Sequence, residues 1–253
     1  MTSAIMRRVH DDWQEYERLV ASMLLNEISP HLCITPNARV RGRISQRSRQ
    51  LDVLIDARHD TDNSRRIIVD AKKRKRKIDV THVEAFRGLM EDVGASHGYL
   101  VCPTGHTEAA LRRAQDLVTI CLLPLDRLHS FDPSSWPKCQ QSKCAHGRVF
   151  WDGYPAISAR GLAVSPSSLV YPKEIAYVHN VGKCDRCGQF HVLCRTCNEL
   201  FSLDDDEGEH QCACKLPWFW LASVERDEHG HPSAELHAVL GTGKVITVDR
   251  RPV

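Results

Sequence analysis

Residues 10–27, HDDWQEYERLVASMLLNE, carry apolar side chains at Trp13, Tyr16, Leu19, Val20, Met23 and Leu24. That is close to the three-and-four spacing of a helix with one buried face, and Glu17 lies off the middle of the stripe. From Arg49 the period shortens. RQLDVLID alternates as a strand does, ARHDTDNS is rich in turn formers, and RRIIVDAK reads as the second strand of a hairpin. VTHVEAFRGLMEDVG restores helical spacing and ends on Gly94, a residue suited to a helix C-cap. HGYLVCP reads as a short buried strand, TEAALRRAQDL as a helix opened by Thr104 or Thr107, and VTICLLP as a last strand. The order helix, hairpin, helix, strand, helix, strand predicts an α/β fold, a mixed sheet flanked by helices.

Beyond Leu128 the texture changes to Ser- and Pro-rich stretches, SFDPSSWPK and SARGLAVSPSSLVYPKE, which puts a boundary near residue 130 and predicts domains at 1–130 and 131–253. The second half reads as short strands, turns and cysteine pairs, a small β-rich domain. ELHAVLGTGKVITVD predicts a closing hairpin that turns at residues 241–244. Its GTGK is no phosphate-binding loop, because the first glycine of that pattern is missing and Val245 stands where Ser or Thr would hold magnesium.

The 253 residues, 42% of them hydrophobic, suffice for one large core or two smaller ones. No window reaches the roughly 18 continuous apolar residues of a membrane helix, and the N-terminus lacks the layout of a signal peptide. A reducing, cytoplasmic setting with no membrane partner is therefore the expectation. The formal charge of +2 hides a regional pattern, a basic run at residues 72–77 and an acidic turn, DDDEGE, at residues 204–209. In a reducing setting the 11 cysteines read as thiols or metal ligands rather than disulfides. Cys33, Cys102 and Cys121 are isolated among apolar residues and read as small buried side chains. The other eight all follow Trp136.

KCDRCGQFHVLCRTCNELF holds two Cys-x-x-Cys pairs, Cys184 with Cys187 and Cys194 with Cys197, each followed by a residue that tolerates left-handed backbone, Gly188 or Asn198. Such spacing points to structural zinc. Six residues separate the pairs, room for one extended strand but hardly for a return, so the two pairs are expected to serve different ions. A hairpin turning on the acidic loop would bring Cys212 and Cys214 back to Cys194 and Cys197. Cys139 and Cys144 are then left for Cys184 and Cys187. His146, His191 and His210 are the alternative ligands.

The stretch VDAKKRKRK, residues 69–77, raises a different chemistry. Residues two apart on a strand share a face, so Asp70 and Lys72 point the same way. Asp52, on the preceding strand, would join Asp70 at the sheet edge. Hard divalent cations take such oxygens, and magnesium keeps only one or two carboxylates beside water and phosphate oxygens. A neighbouring lysine orients water or offsets charge developing on phosphate.

These residues resemble the core of the PD-(D/E)XK nucleases, and within that superfamily the Mrr-like restriction endonuclease domain. The resemblance spans residues 12–128 and rests on YERLVASML, RQLDVLID, IIVDAKKR, VEAFRGLM and HGYLVCPTGHTEAALRRA. It implies a metal-dependent DNA endonuclease that uses magnesium or manganese, with Asp52 and Asp70 as metal ligands, Lys72 as the water-orienting or charge-stabilising group, and Glu17 as an acid supporting the metal. Many Mrr-like members carry Gln or Glu where Asp70 stands. The glycine-rich stretch they often show before the first acid is here RISQRSRQ. The resemblance further implies a prokaryotic restriction or anti-phage role, with DNA as substrate and a homodimer or a defence-system protein as partner. Lys73, Arg74, Lys75, Arg76 and Lys77 lie where a polyanion must pass, and each phosphate they neutralise releases counterions without regard to sequence. Two rival readings stand beside this one: a nuclease-derived platform that binds without cutting while the zinc half does the work, and a resolvase acting on branched DNA.

Overall fold

The computed structural model describes residues 12–25, 32–57, 65–115, 117–123, 126–127, 131–132, 135–152, 156–163, 173–204, 210–224, 233–241 and 243–252. The expected turn over 58–64, most of the acidic loop and the outermost residues of the first helix fall outside these. The chain divides into two compact units, Met1–Ser135 and Trp136–Val253.

Helix α1 of the first unit is Asp12–Leu24. Tyr16, Leu19, Val20 and Ala21 are buried, whereas Trp13 and Met23, which the periodicity assigned to the same stripe, are 47% and 42% exposed. The buried stripe is narrower than its spacing implied, because only the middle turns of the helix lie over the sheet. Tyr16 anchors it, its hydroxyl donating to the carbonyl of Leu123 at 3.0 Å.

The sheet follows chain order, β1 (Leu32–Arg41), β2 (Ser48–Ala57), β3 (Ile67–Ala71), β4 (His97–Cys102) and β5 (Val118–Leu122). The first three strands are antiparallel neighbours, and β3, β4 and β5 run parallel. Parallel neighbours need crossovers, here α2 (Val80–Val93) and α3 (Glu108–Ala114). Leu54, Ile68, Leu100 and Cys102 form one core with Ile78, Val83, Phe86 and Met90. The residues that alternate with them, Val53, Ile55 and Val69, are equally buried and belong to the face on which α1 packs. Strand β1 is absent from the sequence expectation, since Pro36 and Asn37, residue types depleted in strands, sit in its middle. Gly94 ends α2 in the left-handed region at φ 72°, as expected, and Thr107 rather than Thr104 caps α3, accepting from the amide of Ala110. Cys33 and Cys102 are buried thiols as expected, while Cys121 is only partly covered.

The second unit is antiparallel throughout. One sheet orders β10 (Leu200–Ser202), β9 (Phe190–Cys194), β8 (Lys173–Cys184) and β6 (Val149–Phe150), with β7 (Ala156–Ala163) also on β8. The other is a meander of β11 (Trp218–Val224), β12 (Ser233–Val239) and β13 (Val245–Pro252), the last two forming the expected closing hairpin. Phe190, Val192, Phe219, Leu236 and Val248 share one core. Lys183 and Asp249, both nearly inaccessible, pair at 2.9 Å between β8 and β13, and Arg251 of β13 donates to Gln189 at 2.8 Å. Lys183 and Arg251 each lie 5.8 Å from the centroid of the Phe190 ring. A buried ion pair is weak evidence of net stability but fixes which strands meet.

The β1–β2 turn is held from outside by Asp92, near the C-terminus of α2. One carboxylate oxygen accepts from the amides of Ile44 (3.1 Å) and Ser45 (2.8 Å), the other from the Ser45 hydroxyl (2.7 Å) and lies 3.3 Å from Arg49 Nε. A side chain at Gly42 would collide with that carboxylate, and one at Gly94 with the Arg43 guanidinium. The Ser45 amide and hydroxyl hold the Asp92 carboxyl below the ordinary range. A carboxyl whose folded pKa is depressed contributes stability that is present above its ordinary pKa of about 4 and lost as pH falls through the folded value. Asp92→Ala is therefore expected to lower the Tm at pH 7, with the gap to the unaltered protein narrowing as thermal scans move below about pH 4.

Candidate active site and cysteine clusters

Strands β2 and β3 pair at Ile55 with Ile67, Leu54 with Ile68 and Val53 with Val69. One further step along this register sets Asp52 opposite Asp70, where the ladder ends. The ladder's closing hydrogen bond comes from a side chain, since the amide of Ala71 donates to Asp52 Oδ2 at 2.7 Å. Lys72 Nζ lies 2.6 Å from Asp70 Oδ1, with the lysine side chain 32% and the aspartate 14% exposed. The amide of Lys72 donates to the Val101 carbonyl at 2.7 Å, tying this point to β4 as well. Burial, and next the charge of Asp70, push the Asp52 carboxyl up to about 6, against the opposing pull of the Ala71 amide and Lys72. Two carboxyls driven together, one resisting ionisation, fit a divalent cation that would relieve their repulsion.

Asn37 stands opposite Asp52 on β1 with φ 50°, a left-handed conformation that Asn tolerates better than most residues. Leu51 and Leu54 bury into the same cluster although three residues apart, so β2 coils between them and Asp52 rides the coil. The structure thus brings Asp52, Asp70 and Lys72 to one point. Glu17 is half-buried on α1, directly after Tyr16. Asp56 is occupied elsewhere, paired with Arg66 at 2.9 Å.

Behind Lys72, Lys73 is half-buried and Arg74, Lys75, Arg76 and Lys77 are exposed. Their loop is pinned at its far end. Ile78, 1% exposed, donates its amide to Gly105 O at 2.9 Å and accepts from the amide of Thr107 at 2.9 Å, and Thr104 Oγ1 donates to Arg76 O at 2.8 Å. Arg74 is drawn back onto His82 Nε2. His82 Nδ1 lies 2.6 Å from the carboxylate of Asp79, the residue that caps α2, and accepts from the Asp79 amide at 3.4 Å in a capping box.

In the second unit the sulfurs of Cys139, Cys144, Cys184 and Cys187 form one group, and those of Cys194, Cys197, Cys212 and Cys214 another, each with all four sulfurs within 4.8 Å. Neighbouring sulfurs stand at 3.7 Å for Cys139 and Cys187, 3.7 Å for Cys144 and Cys184, and 3.8 Å for Cys194 and Cys214. Tetrahedral coordination at a metal–sulfur distance of about 2.3 Å requires edges of roughly 3.8 Å, so both groups fit a four-thiolate zinc site. A side chain at Gly147 would strike Cys144 and Cys184, so that glycine leaves the room the sulfurs need. Knuckle backbone repeats in the two halves: the amide of Cys184 donates to Gln189 O and that of Cys194 to Glu199 O, both at 2.9 Å, while Gly188 and Asn198 have φ 71° and 59°. Burial pushes the Cys139 thiol up to about 12 and Cys214 to about 11.

No histidine joins either group among the described residues. His191 instead accepts from the Gln140 amide through Nε2 and donates through Nδ1 to Gln189 O, both at 3.0 Å, bracing the Cys139 loop, and His210 stacks on Phe201. Sequence reasoning overlooked His179, whose Nε2 lies 3.3 Å from Cys212 Sγ. It also passed over Glu199, which accepts from the Ala213 amide at 2.7 Å. His179 belongs to an ordinary strand alternation, and only its pairing with Cys194 across β8 and β9 exposes its position.

Residues 11–131 match the family model of the Mrr catalytic domain, described as a restriction endonuclease. The first unit carries an Mrr-type restriction endonuclease domain. Its mixed sheet and flanking helices agree with the PD-(D/E)XK fold, and the cysteine groups of the second unit are those of a zinc-ribbon-like region. No curated protein matches the sequence. A structure titled "Crystal Structure of Protein of Unknown Function AF1548" is 13% identical over 51% of this chain and 73% of its own, with a TM-score of 0.37. Among the described residues no helix is long and apolar enough to cross a membrane.

The raised Asp52 carboxyl has a consequence in the metal-free Mrr-type domain. A carboxyl whose folded pKa is raised favours the folded state below its unfolded value, near 4, and that advantage is lost as pH rises through the folded value, about 6. Asp52→Asn keeps an oxygen for the Ala71 amide and removes the repulsion. It should raise the Tm at pH 8 in chelator, with the gain disappearing toward pH 4. Magnesium should raise the Tm of the unaltered protein more than that of the variant.

Proposed function

We propose that this protein is a magnesium- or manganese-dependent endodeoxyribonuclease acting in restriction or anti-phage defence in the prokaryotic cytoplasm. The observation that carries the reading is the opposition of Asp52 and Asp70 at the end of a paired ladder with Lys72 at 2.6 Å from Asp70, inside an Mrr-type domain. Asp52 and Asp70 would hold the cation, and Glu17, reaching from α1, would support it. When bound, the cation supplies positive charge to the phosphate oxygens. Lys72, beside Asp70 and partly open to solvent, orients water toward the phosphorus and offsets charge that develops on the phosphate. Residues 73–77 hold the backbone of the DNA by charge alone.

Loss of a group that stabilises developing charge costs on the order of 10²–10³-fold in rate. Plasmid nicking or cleavage in magnesium should fall by about that factor in Lys72→Ala and vanish in Asp70→Ala, with circular dichroism unchanged. Undiminished cleavage in both purified variants would remove these residues from the reaction. A protein that binds DNA and cuts none in either metal would instead be the platform without catalysis.

The two cysteine groups are read as two structural zinc ions, with the zinc module helping to recognise DNA or a partner protein. Four protein sulfurs leave no open position, so catalysis is not assigned to them. Elemental analysis should give two zinc ions per chain, one lost in Cys139→Ser and the other in Cys194→Ser. Structural zinc contributes folding free energy directly, so either change should open the second unit to proteolysis while the first stays resistant. A single zinc that survives Cys139→Ser would leave only the Cys194 group as a metal site.

A further inference from the structure

Asp52 lies on a coiled hairpin whose outer surface has no role in the chemistry above. On β2 the residues that alternate with the buried Leu51 are Asp52, Gln50 and Ser48, and their ladder partners on β1 are Asn37 by register, Arg39 and Arg41. Partners across an antiparallel ladder share a face. One face of the hairpin therefore runs from the catalytic carboxylate through Asn37 and Gln50 to Arg39 and then Arg41. Gln50 Nε2 donates to Asn37 Oδ1 at 2.8 Å, so the polar pair next to Asp52 is already ordered. Arg39 and Arg41 are exposed, and each step of two residues covers roughly 7 Å.

The opposite face is occupied. Ala38 and Leu51 enter the core of the first unit with Val40 packed against it, and the Asp92 carboxylate grips the turn through Ile44, Ser45 and Arg49. The hairpin is thus gripped along one side and presents cations along the other. Arg43 and Arg49, which have partners in this grip, are structural; Arg39 and Arg41 are not needed for it. A short line of guanidinium groups beginning beside a phosphodiesterase centre matches a polyanion's backbone, and arginine is the side chain that pairs with phosphate in a fixed fork.

We propose that the outer face of the β1–β2 hairpin, through Arg39 and Arg41, is a phosphate-binding track that holds the DNA strand leading away from Asp52 and Asp70, separate from the basic loop at residues 73–77. This deepens the nuclease reading and rests on it. The test uses the full-length protein with both zinc sites intact and a fluorescent duplex, with calcium in place of magnesium so that binding is read without cleavage. Affinity is measured by anisotropy over a salt series for the unaltered protein, the Arg39→Gln/Arg41→Gln double variant and Arg39→Lys/Arg41→Lys. Each phosphate contact contributes about 0.9 to the slope of log affinity against log salt, so two lost contacts should flatten it by about 1.8 in the Gln variant. The Lys variant keeps the charge and should keep the slope, and the Tm should be the same in all three because the Asp92 grip is untouched.

An unchanged slope in the Gln variant, with the unaltered protein binding DNA and cutting it in magnesium, overturns the hairpin track and leaves the nuclease reading standing. Absence of both binding and cutting by the unaltered protein overturns that reading and the track with it. A flattened slope with cleavage still abolished by Asp70→Ala supports both.

Discussion

Two carboxylates set face to face repel each other, and in this protein the backbone ladder of β2 and β3 is what keeps Asp52 and Asp70 together. The ladder can do so because its other residues are committed. Val53, Leu54, Ile55, Ile68 and Val69 are all essentially inaccessible, buried on both faces by α1 on one side and α2 with α3 on the other. With both faces buried, a slip of one residue would mismatch the packing and draw Asp52 or Asp70 into the apolar interior, and the cost of burying a charge there stands behind the register. The unfavourable charge contact sits at the ladder's last step, where the Ala71 amide and Lys72 soften it. The adverse electrostatics of the site are thus carried by hydrophobic packing elsewhere.

The second unit solves a different problem. Among the described residues its core cluster is smaller than that of the first unit, and a small β domain with a modest apolar interior commonly depends on metals or disulfides. Here the cysteines are free thiols drawn into two groups, and the five residues of β9 run from beside one group to the other. That strand separates the sites and joins them mechanically. It also carries Phe190, which Lys183 and Arg251 approach, so the same segment meets both sulfur groups and the contact between the two sheets.

Much of this was legible in the residues themselves. The Asp-x-Lys triplet on a strand, the downstream helices and the Cys-x-x-Cys pairs obey local rules of period and spacing that survive folding. Of the six residues between the two knuckles, the last four lie in the single strand β9, with no return. What escaped the sequence was non-local. Strand β1 hides behind Pro36 and Asn37, residue types depleted in strands, and Asn37 takes its left-handed conformation opposite Asp52. The bracing roles of Asp92, His179 and His191 depend on pairings 47 or more positions away, or across two strands, that no window of sequence contains. Trp13 and Met23 obeyed the helical period yet face outward, because periodicity gives the direction of a side chain but not the width of the surface that covers it.

The arrangement of charge follows from the same division between buried and open faces. Cations engaged in structure are matched one by one: Arg66 with Asp56, Lys183 with Asp249, Arg49 with Asp92. The cations behind Lys72 form a different class, since Lys75, Arg76 and Lys77 are exposed on their loop. The near-neutral total of +2 is therefore no guide to what the molecule attracts, because the basic loop is concentrated beside Asp70 while an acidic run lies far along the chain at residues 204–209. A polyanion approaching that loop meets attraction first and the two carboxylates last. The carboxylates would repel a phosphate unless a divalent cation lay between them, so under the proposed function a cation that relieved their repulsion would also be the condition for substrate to come within reach.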